Sequence, residues 1–99
     1  MSLEKIIWQL EAQEDLIQIY NYISKDSIYY ADITIKNIAY SVNDLLIFPY
    51  MGRKLPQANN SKVRETPYKS YRIIYEVSKS CIYILRVVHK SRILYPNFI

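Results

Sequence analysis

The sequence is poor in the residues that build covalent or metal-based chemistry. Its 99 residues include one cysteine, Cys81, one histidine, His89, and one glycine, Gly52. A lone cysteine closes no internal disulfide, and a lone histidine removes most metal-binding options. No structural zinc spacing, helical metalloprotease signature, glycine-rich phosphate loop or nucleophile elbow is present. The expectation is no metal, no cofactor and no small-molecule ligand. Long apolar runs are missing as well. The most apolar stretch near the end of the chain, 82–88, is interrupted by Arg86 and is far shorter than the roughly 20 residues that span a bilayer. The chain does not open with a basic segment followed by an apolar run, as a secretory signal would. A reducing cytoplasm, with no membrane partner, is therefore the expected setting.

What is abundant is tyrosine and positive charge. Eleven tyrosines supply rings that fit a core and hydroxyls that need water or a partner, so they suit a wet groove as well. The net charge of +4 hides an asymmetry. Residues 1–48 carry three basic against seven acidic side chains, whereas residues 49–99 carry ten basic against only Glu65 and Glu76. A positive field of that kind favours phosphate backbones or an acidic protein partner; a well-solvated basic surface is the plainer reading.

At this length one domain, 1–99, with one core is expected. Residues 4–10 alternate Ile6, Trp8 and Leu10 with Lys5, Ile7 and Gln9, the pattern of a strand. Glu14 and Asp15 fit the first turn of a short helix that carries Leu16, Ile19, Tyr20 and Ile23 and ends near Lys25. Ser27 is placed to cap a longer helix with the apolar stripe Ala31, Ile35, Ile38, Val42 and Leu45. Pro49, Gly52 and Pro56 mark a loop over 49–61. Three β-rich segments follow, 62–66, 71–77 and 81–89. The order is β-α-α-β-β-β, an α+β fold whose antiparallel sheet carries a two-helix hairpin on one face.

If Lys79 and Ser80 form a two-residue turn, Ser78 opposes Cys81 and Arg72 opposes Val87. Alternation then puts Arg72, Tyr83 and His89 on one sheet face, with Tyr71, Ile73, Tyr75, Ile82 and Ile84 against the helices. This register also leaves Arg86 on the core side, which is inconsistent with its charge, and a one-residue slip would invert it.

The residues able to carry chemistry are Arg64, Glu65, Arg72, His89, Lys90, Arg92 and Tyr95, all in or just beyond the strands. RNA cleavage through its own 2′-hydroxyl needs a base, an acid and fixed cations, roles that histidine, tyrosine and arginine fill without metal. His89 is the only side chain whose unperturbed pKa lies near neutrality. Each has a plainer role beside this one. His89 is equally a strand-end histidine bonded to backbone, Arg72 a partner of Glu76 or Glu65, Tyr95 a packing residue, and Glu65 half of a cross-strand ion pair. The seven carboxylates of the first half read as solvated faces and helix starts.

An ordered series of landmarks resembles the RelE/ParE toxin superfamily of type II toxin-antitoxin systems. It runs through Trp8, Asp15-Leu16, Ile19-Tyr20, Ile23, Leu45, Phe48-Pro49 and Gly52-Arg53. It continues through Arg64-Glu65, the stretch 71–77 and the stretch 84–89, and ends at Arg92, covering about nine-tenths of the chain. The resemblance implies a microbial RNase-like toxin fold, a role in growth inhibition or plasmid stabilisation, a cognate antitoxin, and binding of operator DNA only through the antitoxin complex. The superfamily holds both inhibitors of DNA gyrase and ribosome-dependent mRNA endonucleases. Phe48-Pro49, Gly52-Arg53, 71–77, His89 and Arg92 look more like the ParE-type branch. In that case Arg64, Arg72, Arg86, Lys90 and Arg92 bind a target or phosphate and nothing is cleaved. An mRNA interferase acting with ribosome and mRNA would instead use Arg72, His89 and Tyr95 as catalytic residues. The loop 54–61 lacks a carboxylate and has one lysine, where nuclease members often carry a glutamate or several lysines. A binding module with neither activity is the third reading.

Overall fold

The computed structural model describes residues 3–92. Strand β1 (Lys5–Trp8) leads into helix α1 (Leu10–Ser24), helix α2 (Ile28–Ser41) and a 3₁₀ segment (Val42–Leu46). Four strands complete the chain: β2 (Arg53–Lys54), β3 (Val63–Tyr68), β4 (Tyr71–Val77) and β5 (Cys81–His89). The two longest strands coincide with those expected from sequence. The Ser27 side chain accepts a hydrogen bond from the Tyr30 N–H at 3.1 Å, satisfying one of the orphan donors that open α2. Helix α1 starts at Leu10, ahead of the expected Glu14, so Leu10 leaves the strand pattern and is exposed.

The sheet order is β1-β5-β4-β3-β2. The last four strands pair antiparallel, whereas β1 runs parallel to β5, with Ile6 beside Ile82 and Trp8 beside Ile84. The sheet is thus mixed rather than wholly antiparallel, because the α1–α2 hairpin returns the chain to the far edge by a long crossover. Strand β2, hidden within the expected loop, has only two residues, too short to leave an alternation pattern.

Two apolar layers flank the sheet. The larger joins Ala12, Ile38, Val42 and Leu45 to Ile73, Tyr75, Val77, Ile82, Ile84 and Val87. The smaller, on the opposite face, is Leu55, Val63, Ile74 and Val88. Ala31, Ile38, Val42 and Leu45 of the sequence stripe are all buried, so the helical period marks the face that packs.

The register between β4 and β5 corrects the sequence reading. Val77 faces Ile82 and Tyr75 faces Ile84, as a turn at Lys79-Ser80 requires, but a bulge then shifts the pairing so that Ile74 faces Arg86 and Arg72 faces Val88. The extra residue moves the helix-facing positions of β5 from Ile82 and Ile84 to Val87. His89 now faces Tyr71, on the helix side, and is on the opposite face from Arg72.

A basic groove and its separated catalytic candidates

The bulge is held by a side chain from α1. Asp15 accepts from Arg86 Nε at 2.7 Å and Nη2 at 2.9 Å, and from the Val87 N–H at 2.9 Å. Asp15 is 8% exposed, so it is a buried anchor rather than one of the solvated helix-start carboxylates expected from sequence. Its hydrogen bond raises the pKa of the Arg86 guanidinium above its ordinary value, against the opposing effect of burial. A fork-shaped guanidinium meeting both carboxylate oxygens fixes geometry as well as charge. Arg86, expected at a binding surface, is therefore tied into the fold.

On the face away from the helices lies a groove of about 550 Å³, bordered by Met51, Arg53, Glu65, Arg72 and Lys90. Glu65 is buried at its base, with Arg53 Nε at 3.4 Å and Arg72 Nη1 at 3.7 Å. Of the two carboxylates expected for Arg72, Glu65 is the one it meets, while Glu76 accepts from Asn60 at 3.4 Å. Arg72 also donates to the Arg92 carbonyl, and its Nε is buried with no partner among the described residues. Three cations around one carboxylate leave the groove positive, suited to an anion.

His89 lies elsewhere. Its ring meets Tyr71 edge-on at 5.8 Å, and its Nδ1 sits 2.8 Å from the Ser91 hydroxyl. It borders a second groove, of about 510 Å³, with Gln18, Tyr22, Tyr71 and Arg92. Burial pushes the Tyr71 phenol above its ordinary pKa, with the Tyr22 phenol adding to the shift. Tyr95 lies outside the described residues.

Arg64 props a turn. Its guanidinium donates to the Gly52 carbonyl at 3.2 Å and lies over the Tyr50 ring at 4.8 Å. The Tyr75 hydroxyl donates to the Pro49 carbonyl at 2.7 Å and accepts from the Gly52 N–H at 3.0 Å. A Cβ at position 52 would approach the Glu65 carbonyl oxygen to 2.5 Å and the Tyr75 hydroxyl to 2.6 Å, so only glycine fits. Sequence reasoning missed Arg53 as a groove residue, Asp15 as the bulge anchor and Tyr75 as the post of this turn. The available signal was their place among the landmarks Asp15-Leu16, Gly52-Arg53 and 71–77, which gave no role to any of the three. Among the described residues no three His, Cys, Asp or Glu side chains come together as a metal site, and no helix is long and apolar enough to cross a membrane.

A two-helix hairpin on a mixed sheet is also the architecture of solved toxin-antitoxin proteins. The chain superposes on a chain of the chromosomal ParDE system from P. aeruginosa with a TM-score of 0.72 and 22% identity, covering 88% of this chain and 96% of that one. It superposes on a chain of the RelBE2 toxin-antitoxin complex from Mycobacterium tuberculosis with a TM-score of 0.64 and 18% identity, covering 91% and 100%. These likenesses define the RelE/ParE-type fold. No curated protein matches the chain in sequence. The family described as ParE toxin of type II toxin-antitoxin system, parDE, matches residues 6–94, and the chain belongs to it.

Proposed function

We propose that this toxin arrests growth in the cytoplasm by binding DNA gyrase rather than by cutting RNA, and that a cognate antitoxin neutralises it. One observation carries the reading: the β5 bulge separates Arg72 and His89 onto opposite sheet faces. Metal-free phosphodiester cleavage requires a proton-moving group within hydrogen-bond reach of the same reacting centre that the cations stabilise. Arg72, occupied by Glu65 and the Arg92 carbonyl, and His89, set against Tyr71 and Ser91, do not converge in that way. The basic groove of Arg53, Arg72 and Lys90 then serves recognition, with Arg64 bracing the adjoining turn at Gly52 and Arg86 tied to α1 through Asp15. Operator DNA would be bound through the antitoxin in the joint complex.

The test is a supercoiling assay with purified toxin and gyrase, run beside genome-wide mapping of RNA 5′ ends after induction. Loss of supercoiling, an SOS response and intact transcripts are expected, with His89→Ala retaining most toxicity. Unimpaired gyrase at saturating toxin, together with codon-phased RNA cuts, would replace this reading with a ribosome-dependent mRNA endonuclease.

A further inference from the structure

The turn that links the 3₁₀ segment to β2 displays an unusual run of exposed apolar side chains. Ile47 is 63% exposed, Phe48 63%, Tyr50 50% and Met51 55%, with only Pro49 between them. Exposed large apolar side chains gathered in one place mark interaction surfaces far more often than do scattered ones. Phe48 and Met51 sit one turn apart, closed by the Met51 N–H donating to the Phe48 carbonyl at 3.1 Å.

This knuckle is also rigid. The buried Tyr75 hydroxyl grips it at both the Pro49 carbonyl and the Gly52 N–H, Arg64 bridges to the Gly52 carbonyl, and the Phe48 N–H donates to the Asp44 carbonyl at 2.9 Å. Apolar anchors held in place before contact lose less conformational freedom on binding. Its surroundings are cationic. Arg64 lies over Tyr50, and Met51 borders the groove of Arg53, Arg72 and Lys90.

We infer that the knuckle of Phe48, Tyr50 and Met51 is the anchor by which the toxin docks on its protein target, entering an apolar pocket whose rim is acidic. Side chains exposed to this extent on a turn call for a concave partner. The neighbouring cations match a rim of carboxylates and steer its approach. The proposal deepens the target-binding reading above and shares its premise that the toxin acts by binding a protein.

The test replaces Phe48→Ser and Met51→Ser, singly and together, at positions whose exposure leaves the core untouched. Each variant is scored for melting temperature, copurification with the co-encoded antitoxin, growth arrest on induction, and inhibition of purified gyrase. A central anchor weakens its complex by about 30-fold or more when truncated, so the double variant should lose growth arrest while keeping its melting temperature and its antitoxin. Arg53→Glu alone should weaken inhibition of purified gyrase, with a smaller deficit at high salt. Undiminished arrest by the double variant overturns the proposal. So does joint loss of arrest and antitoxin capture with the fold intact, since the knuckle would then be an antitoxin surface. If the unaltered toxin spares gyrase but the variants still lose arrest, gyrase is the wrong target and the knuckle stands. If toxin and variants inhibit gyrase equally, the knuckle falls and gyrase stands.

Discussion

The two faces of the sheet are built on different terms. The face under the helices is sealed: Ile38, Val42, Leu45, Ile73, Tyr75, Ile82 and Ile84 are all essentially buried, and Asp15 closes the layer with charge-assisted hydrogen bonds. The opposite face has a core of four residues under the loop 49–61, and beside it a groove where Arg53, Arg72 and Lys90 stand around Glu65. The second face keeps a net positive charge, with Glu65 shared between Arg53 and Arg72 and Lys90 beside them. The cations of the groove gather where the cover is thin, since a charge survives only where water or a partner reaches it.

That contrast can be broken most sharply at Ile38, which is fully buried in the larger core. Ile38→Ala should lower the unfolding free energy by about 4 kcal/mol, read from urea denaturation, because helix and sheet cannot both collapse into the space left. Asp15→Asn should lose about 3 kcal/mol in the same assay, since Arg86 would keep its half-buried position without its counter-charge. It should also loosen the bulge, which hydrogen exchange at the Val87 amide would report.

Leu55→Ala tests the thinner face. Leu55 is 2% exposed but roofed by a loop, so relaxation should limit the loss to about 2 kcal/mol; a loss equal to that at Ile38 would mean that the two faces are equally rigid. The smallest effect is expected at Tyr75→Phe, about 1 kcal/mol for the hydroxyl that joins the sealed face to the turn at Gly52. Its pH dependence sharpens the comparison. Burial raises the Tyr75 pKa above 10.0, so its share of stability is complete below pH 10 and falls as the pH rises through the folded value. Thermal melts across that range should show Tyr75→Phe losing less stability on alkalinisation than the unaltered chain.

Much of the sealed face was legible beforehand. The stripe Ala31 to Leu45 repeats often enough to fix which side of α2 is buried, and 71–77 and 81–89 are long enough to declare themselves as strands. The thinner face was far less so. Arg53 and Lys54 make a two-residue strand, and two residues have no period. The charge excess of the second half foretold a basic surface there, yet not which arginines would reach it: Arg86 is drawn to α1 and Arg64 to the turn, while Arg53 and Arg72 meet in the groove beside Glu65.

The sequence by itself determined the two helices and the long strands, the side of α2 that packs, the cap at Ser27 and the sign of the field, because these depend on neighbours within a few positions along the chain. Only the tertiary structure decided the parallel seating of β1, the bulge in β5 and the face on which His89 stands. Those depend on contacts between residues far apart in sequence, such as Asp15 with the Val87 N–H, and a single extra residue in one strand inverts every side chain beyond it.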